Sequence, residues 1–123
     1  MPDSPMPVRE FSLKLKEIPV MIIGVDGVAR PHTIRQLTGE GRDQFNEFQR
    51  QRFDKNPDGS VKILNYVDLQ AWLIAKMLHD ENNRLVPITE VRKYPDETQD
   101  GLYELCLSIQ EQDGKGIEAA KND

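Results

Sequence analysis

The chain has 123 residues, a formal net charge of −5 and a pI near 5.1. This length predicts one domain with a modest hydrophobic core. The acidic balance argues against nucleic-acid binding, because such binding needs a basic face that displaces counterions from the phosphates. The one cysteine, Cys106, excludes an internal disulfide and a cysteine-based zinc site, and its apolar neighbours predict a buried side chain.

The sequence carries no pattern that predicts a membrane or export signal. No apolar run approaches the length of a membrane span, and the first residues lack the basic and apolar segments of a signal peptide. We therefore expect a cytoplasmic protein that makes no contact with a membrane.

The N-terminal part predicts a flexible lead followed by strands. Residues 1–8 contain three prolines and form the expected lead. Apolar and polar residues alternate from Arg9 to Lys16, as in a half-buried strand. The next run is apolar on both faces, so it is either a strand covered on both sides or a sheet edge that pairs with another chain, including a second copy. Its candidate partner-binding residues are Val20, Met21, Ile22 and Ile23.

A two-residue hairpin turn is predicted at Asp26-Gly27, because both positions tolerate a positive φ. Residues 28–35 then return as the partner strand. Pro31 lies in the middle of this strand and favours a place at the sheet edge, where its missing N–H costs no ladder hydrogen bond.

Helical patterns follow the predicted sheet. Thr38 is the expected N-cap of the first helix, and Glu40 lies in its first turn, where the helix dipole favours an anion. Asn65 is the expected cap of the second helix, which ends at His79. Trp72 belongs either to the core or to the rim of a binding groove, since its indole N–H needs a partner. The apolar stripe of this helix is Leu69, Trp72, Leu73, Ala75 or Lys76, Met77 and Leu78.

A short turn capped by Thr89 precedes the last helix, which should begin at Pro95 and reach about residue 112. Its predicted core residues are Leu102, Leu105, Cys106 and Ile109. Residues 114–123 are expected to form a flexible tail. The predicted fold is α+β, with one domain over residues 9–113 in which a small N-terminal antiparallel hairpin or sheet packs against three to four helices.

One segment matches part of a calcium-binding EF-hand loop. Asp54, Asn56, Asp58 and Gly59 occupy its positions 1, 3, 5 and 6, and helices are predicted on both sides. Position 12 is Asn65, which cannot supply the bidentate carboxylate that binds the ion. The loop is therefore either a turn built from Asx and Gly residues or a weak Ca²⁺ site on the first three of these residues and Asn65.

The sequence contains no arrangement typical of catalysis. His32 and His79 have no partner at metal-ligand spacing, and the serines lie in no nucleophile motif. We therefore expect neither an enzyme nor a protein that binds a cofactor.

A series of short motifs covers the chain from about residue 34. The first motifs are Leu37-Thr38-Gly39, Arg42-Asp43, Asp58-Gly59 and Leu69-Gln70-Ala71. The later motifs are Leu78-His79-Asp80-Glu81, Val86-Pro87, Tyr94-Pro95 and Ala120-Lys121-Asn122-Asp123. In this order and spacing the chain resembles the tail assembly chaperones of long-tailed bacteriophages and prophages.

The resemblance implies a protein that works in the host cytoplasm and is absent from the mature virion. Such chaperones bind the long, aggregation-prone tape measure protein, keep it soluble and recruit tail tube subunits to it during tail morphogenesis. Two other functions stay open: a Ca²⁺-responsive module built on the EF-hand-like loop, and a minor structural or connector protein of the virion.

The family likeness also implies a programmed frameshift. The chain would be the shorter of two products, the longer one being made by a −1 slip of the ribosome near the end of the reading frame. If Ala120 is encoded by GCA, Lys121 and Asn122 are the expected slip position, because codons that read A-AAA-AAC allow both tRNAs to re-pair after the slip. The alternative is an ordinary polar terminus without a slip site.

Overall fold

The computed structural model describes residues 7–55, 57–63 and 68–111. Its elements confirm the predicted α+β class, with an N-terminal three-stranded antiparallel sheet followed by helices. In chain order they are β1 (Glu17–Ile23), β2 (Ala29–Arg35), α1 (Gly39–Arg50), β3 (Phe53–Lys55), β4 (Val61–Ile63), α2 (Leu69–Met77), β5 (Leu78–His79), α3 (Ile88–Val91) and α4 (Asp96–Glu111). None of these helices is long and apolar enough to cross a membrane.

The main sheet has the strand order β1-β2-β5, so β2 is central and β1 lies at an edge. Beyond the last pair of β1 and β2, the Gln36 N–H donates to the Lys16 carbonyl at 2.8 Å. Bonded and non-bonded pairs alternate along antiparallel strands, so Pro19 and Pro31 fall in non-bonded pairs. The predicted edge position of Pro31 is wrong, because β2 is the central strand. A central strand tolerates this proline because β5 is short and pairs only with Thr33 and the residue after it.

The strand predicted from Arg9 to Lys16 does not form, because β1 begins only at Glu17. Phe11 and Leu13 lie in this segment and are 80% and 98% exposed. The reason is the length of the partner strand: β2 ends opposite Glu17, and the chain turns into α1 soon afterwards. An alternating pattern without a neighbouring strand cannot form a ladder.

The β1–β2 loop is longer than the predicted two-residue turn. The Gly27 N–H donates to the Gly24 carbonyl, and the Gly24 N–H donates to the Val28 carbonyl, both at 2.9 Å. In this loop only Gly27 has a positive φ, of +79°, so Asp26 does not take the predicted conformation. Asp26 instead binds Arg30 through both carboxylate oxygens, at 2.7 and 3.2 Å. A Cβ on Gly24 would lie only 2.8 Å from one of these oxygens.

Helix α1 starts as predicted, because the Thr38 hydroxyl accepts a hydrogen bond from the Gly41 N–H at 3.1 Å. Helix α2 starts later than predicted, at Leu69, and the expected cap Asn65 lies outside the described residues. The residue before α2 is Asp68, which has a φ of +62° and binds Arg92 at 2.6 and 2.7 Å.

Helix α2 is buried on more than one face, so the predicted single stripe is wrong. Ala71 and Ile74 are buried although the stripe omits them, whereas Leu69 and Trp72 are only half-buried. The cause is that α2 packs against α1, α3, α4 and β2 together. The buried residues of α2 are Ala71, Leu73, Ile74 and Met77.

The chain passes from α2 directly into β5, without a loop. Leu78 is the C-cap of α2 and also pairs with Ile34 of β2. His79 therefore lies in a strand rather than at the predicted helix end. A tight turn follows, in which Asn83 has a φ of +61°, and the Val86 N–H then donates to the Leu78 carbonyl at 3.0 Å.

The last two helices complete the core. The N-cap of α3 is Pro87, so the predicted cap Thr89 lies inside the helix. On α4, Leu102, Cys106 and Ile109 are buried as predicted, whereas the predicted core residue Leu105 is 36% exposed. Burial raises the pKa of the Cys106 thiol to about 12.

Leu73→Ala should lower the free energy of unfolding by about 2–5 kcal/mol, because the Leu73 side chain is fully buried and its removal leaves a cavity in the core. Leu105→Ala is the matched control, since it removes the same atoms from an exposed helix position and should cost about 1 kcal/mol or less. Urea unfolding followed by circular dichroism measures both. Equal losses would contradict the assignment of the core.

Candidate partner-binding surfaces

The EF-hand-like segment forms a β-hairpin. β3 pairs with β4 in antiparallel register, and residues 57–60 lie at the tip. The predicted helices on both sides form as α1 and α2, but β3 and β4 separate them from the loop, so they do not flank it directly as in an EF-hand. Of the candidate ligands, Asn56 and Asn65 lie outside the described residues, and so does the side chain of Asp54.

The remaining candidate ligand, Asp58, stabilises the hairpin tip. Its carboxylate accepts hydrogen bonds from the Ser60 N–H at 2.9 Å and from the Ser60 hydroxyl at 2.7 Å. These donors hold the pKa of Asp58 below its usual value. Gly59 has a φ of +91°, which glycine adopts without strain. This geometry is that of a turn built from Asx and Gly residues.

The edge strand β1 divides the four candidate residues between two faces. Val20 and Ile22 pack against the core, whereas Met21 and Ile23 are 61% and 70% exposed. The strand is therefore not covered on both sides. Met21 and Ile23 belong to non-bonded pairs with β2, so their backbone N–H and C=O groups point away from β2 toward the open edge.

The exposed side of the β1–β2 hairpin carries an apolar patch near the turn, beside the polar pair of Glu17 and Arg35 at the other end. Met21 pairs with Pro31 and Ile23 pairs with Ala29, so these side chains lie on one face. We call this the outer sheet face, and it consists of Pro19, Met21, Ile23, Ala29 and Pro31, all of which are exposed. A contiguous exposed apolar face on a protein commonly marks a site of interaction.

A second surface is an open groove between α1 and α2. Its floor is the aromatic pair Phe48 and Trp72, and acidic and amide side chains form its rim. We call it the aromatic groove, and it is lined by Glu40, Asp43, Gln44, Glu47, Phe48, Gln51 and Trp72.

Trp72 connects this groove to the core. Its ring is stacked on Phe48, with centroids 4.6 Å apart, and on Phe45, with centroids 5.7 Å apart. Phe45 is buried, whereas Phe48 and Trp72 are half-buried. Just after α1, the guanidinium carbon of Arg52 lies 3.6 Å from the centroid of the Phe48 ring. Trp72 therefore packs against the core and also lines a groove, which the sequence left as alternatives.

The acidic rim of the groove comes from one face of α1. Glu40, Asp43 and Glu47 follow each other at spacings of three and four residues, so they share a face of the helix. Arg50 binds Glu47 through both carboxylate oxygens, at 2.6 and 2.9 Å, and holds the pKa of Glu47 below its usual value. Sequence reasoning missed this rim, although the same spacing was visible in the printed chain.

Among the side chains that the structure describes, no group of three or more His, Cys, Asp and Glu residues is arranged to hold a metal ion. No known protein family, no curated protein and no solved structure matches this chain. The case for a function therefore rests on the motif resemblance and on the two surfaces.

The Asp26 carboxyl, in the hairpin loop beside the outer sheet face, should titrate at low pH. The Arg30 guanidinium and the Val28 N–H lower the pKa of Asp26 from 3.8 to about 2. A lowered pKa stabilises the folded state above the unfolded value, and this contribution is lost as the pH falls from about 4 toward 2. Arg30→Gln should raise the pKa of Asp26 toward 3.8 in an NMR titration. Arg35→Gln, which removes a partner of Glu17 instead, should leave it unchanged.

The Phe48–Trp72 stack should contribute a measurable coupling free energy. A double-mutant cycle of Phe48→Ala and Trp72→Ala in urea unfolding should give about 0.5–1.5 kcal/mol. A cycle of Trp72→Ala with Phe11→Ala is the control and should give a value near zero, because Phe11 is exposed in the segment before β1. A coupling free energy near zero for Phe48 and Trp72 would show that their stacking does not stabilise the contact between α1 and α2.

Proposed function

We propose that this protein is a tail assembly chaperone of a long-tailed bacteriophage or prophage. It binds the tape measure protein in the host cytoplasm, keeps that partner soluble and recruits tail tube subunits to it. The order of motifs from Leu37-Thr38-Gly39 to Tyr94-Pro95 supports this proposal. In the fold these motifs begin α1, begin α2, form the α2–β5 junction and precede α4.

The observation that carries the proposal is the outer sheet face next to an open strand edge. A chaperone without an energy source must cover apolar surface of its partner by binding alone. An open edge offers backbone hydrogen bonds to an extended segment, and the neighbouring face offers apolar contacts to its side chains. Met21 and Ile23 contribute to both, because their backbone groups point to the edge and their side chains are exposed.

The size of this surface fits transient binding. Full burial of a Met or Ile side chain contributes roughly 1.5–3 kcal/mol, and ordering of the partner offsets part of that gain. A patch of five residues is smaller than the interface of a permanent complex. A chaperone that leaves before the tail is finished needs this reversibility, and the proposal accordingly places the protein outside the mature virion.

Coexpression with the tape measure protein of the same phage tests the function. The wild-type chain should raise the soluble fraction of that partner and should copurify with it. Met21→Lys with Ile23→Lys should abolish both effects and leave the fold intact, because both side chains are exposed and lysines on an edge strand oppose pairing. The matched control is Leu85→Lys with Leu105→Lys, which places the same charges on exposed apolar positions elsewhere.

An unchanged soluble fraction with and without the wild-type chain would exclude the chaperone function. Recovery of the protein from purified virions would favour a structural role instead. A loss of activity in both double variants would show that added charge, and not the outer sheet face, is responsible.

A further inference from the structure

The aromatic groove combines an acidic helix face with a pair of stacked aromatic rings, whereas α4 carries a similar acidic face without adjoining the groove. Glu97, Asp100 and Glu104 on α4 repeat the residue types and the spacing of Glu40, Asp43 and Glu47, and all three are exposed. These α4 residues do not line the aromatic groove. Only the α1 set adjoins a pair of stacked aromatic rings. The combination therefore distinguishes the groove from a solvated acidic helix face.

We propose that the aromatic groove is a docking site for a basic amphipathic helix of a partner protein. The apolar side of that helix would cover Phe48 and Trp72, and its lysine or arginine side chains would reach the carboxylates of the rim. This proposal deepens the chaperone function by naming a class of partner segment, and it rests on that function only for the identity of the partner.

The acidic rim of the groove indicates that the partner helix is positively charged. Like charges at spacings of three and four residues destabilise a helix, so Glu40, Asp43 and Glu47 repel one another on α1. Arg50 neutralises part of this repulsion at Glu47, and Arg42 lies 3.9 Å from Asp43. The side chains of Asp43 and Glu47 are still 78% and 51% exposed. A cationic partner relieves the repulsion, whereas nucleic acid or a second acidic rim increases it.

The aromatic floor also favours a cation. Arg52 stacks over Phe48, and the Lys76 ammonium lies 5.3 Å from the centroid of the Trp72 ring. These contacts within the chain show that the rings accept guanidinium and ammonium groups.

The shape of the groove selects a helix. α1 has 12 residues, which corresponds to a length of about 18 Å. This is about three turns of a partner helix, enough for apolar side chains at intervals of three and four residues. Because the groove is open along its length rather than closed like a pocket, it suits a helix better than a small molecule.

The test uses the full chain and two synthetic helical peptides. Both peptides have the same leucine and alanine face and no aromatic residue, and their polar faces carry either lysine and arginine or glutamate. Trp72 is the one tryptophan of the protein, so its fluorescence reports binding in the groove. We expect a saturable change with the basic peptide, weaker binding at higher salt and no change with the acidic peptide.

Two triple variants locate the binding site. Glu40→Gln, Asp43→Asn and Glu47→Gln together should weaken binding of the basic peptide by about tenfold. Glu97→Gln, Asp100→Asn and Glu104→Gln change the net charge equally and should leave the affinity within about twofold. If the first triple variant does not fold by circular dichroism, Asp43→Asn with Glu47→Gln replaces it.

Several results would overturn the proposal: no saturable change with the basic peptide, equal binding of both peptides, or equal losses in the two triple variants. The peptides contain no phage component, so the titration decides the groove alone. A wild-type chain that keeps the tape measure protein soluble but binds no basic peptide sustains the chaperone function and excludes the groove. A chain that binds the basic peptide but does not affect the solubility of the tape measure protein sustains the groove and excludes the chaperone function.

Discussion

The pairing of Ile34 with Leu78 is the contact on which the rest of the fold depends. Both side chains are fully buried, and Leu78 follows the last residue of α2 without a loop. The sheet is therefore attached directly to the most buried helix. This junction fixes which side of the sheet faces the core, because a shift of the register by one residue would turn Ile34 toward solvent. The same shift would also expose Val20 and Ile22.

The two candidate surfaces follow from this arrangement. The helices cover one side of the sheet, so the other side, which carries Met21, Ile23 and Pro31, stays exposed. β5 occupies the edge of β2 and leaves β1 as the opposite edge. Helix α1 reaches α2 mainly through aromatic rings, and the gap beside Phe48 and Trp72 is the groove. One surface suits an extended segment and the other suits a helix.

Local signals in the sequence predicted the features that depend on a few neighbouring residues. The Thr38 cap is confirmed, because capping acts within one helix, and the burial of Cys106 is confirmed, because its apolar neighbours in the sequence indicate a buried helix face. The failures concern partners that are distant in sequence. The alternation after Arg9 needed a longer β2, and the place of Pro31 depended on the length of β5. The exposure of Leu105 depended on which helices surround α4.

An exposed apolar edge also creates a risk of pairing with the wrong chain, and the sequence limits that risk. Pro19 lies in the part of β1 whose backbone groups face the open edge, and it has no N–H to donate. A strand that pairs there forms fewer hydrogen bonds than it would with an unbroken edge. Lys16 and Glu17 place charges at the start of the strand, as natural edge strands often do. The net charge of −5 opposes contact between two copies. An edge weakened in this way would bind a strand only weakly through hydrogen bonds, so a partner would also need apolar contacts on the outer sheet face.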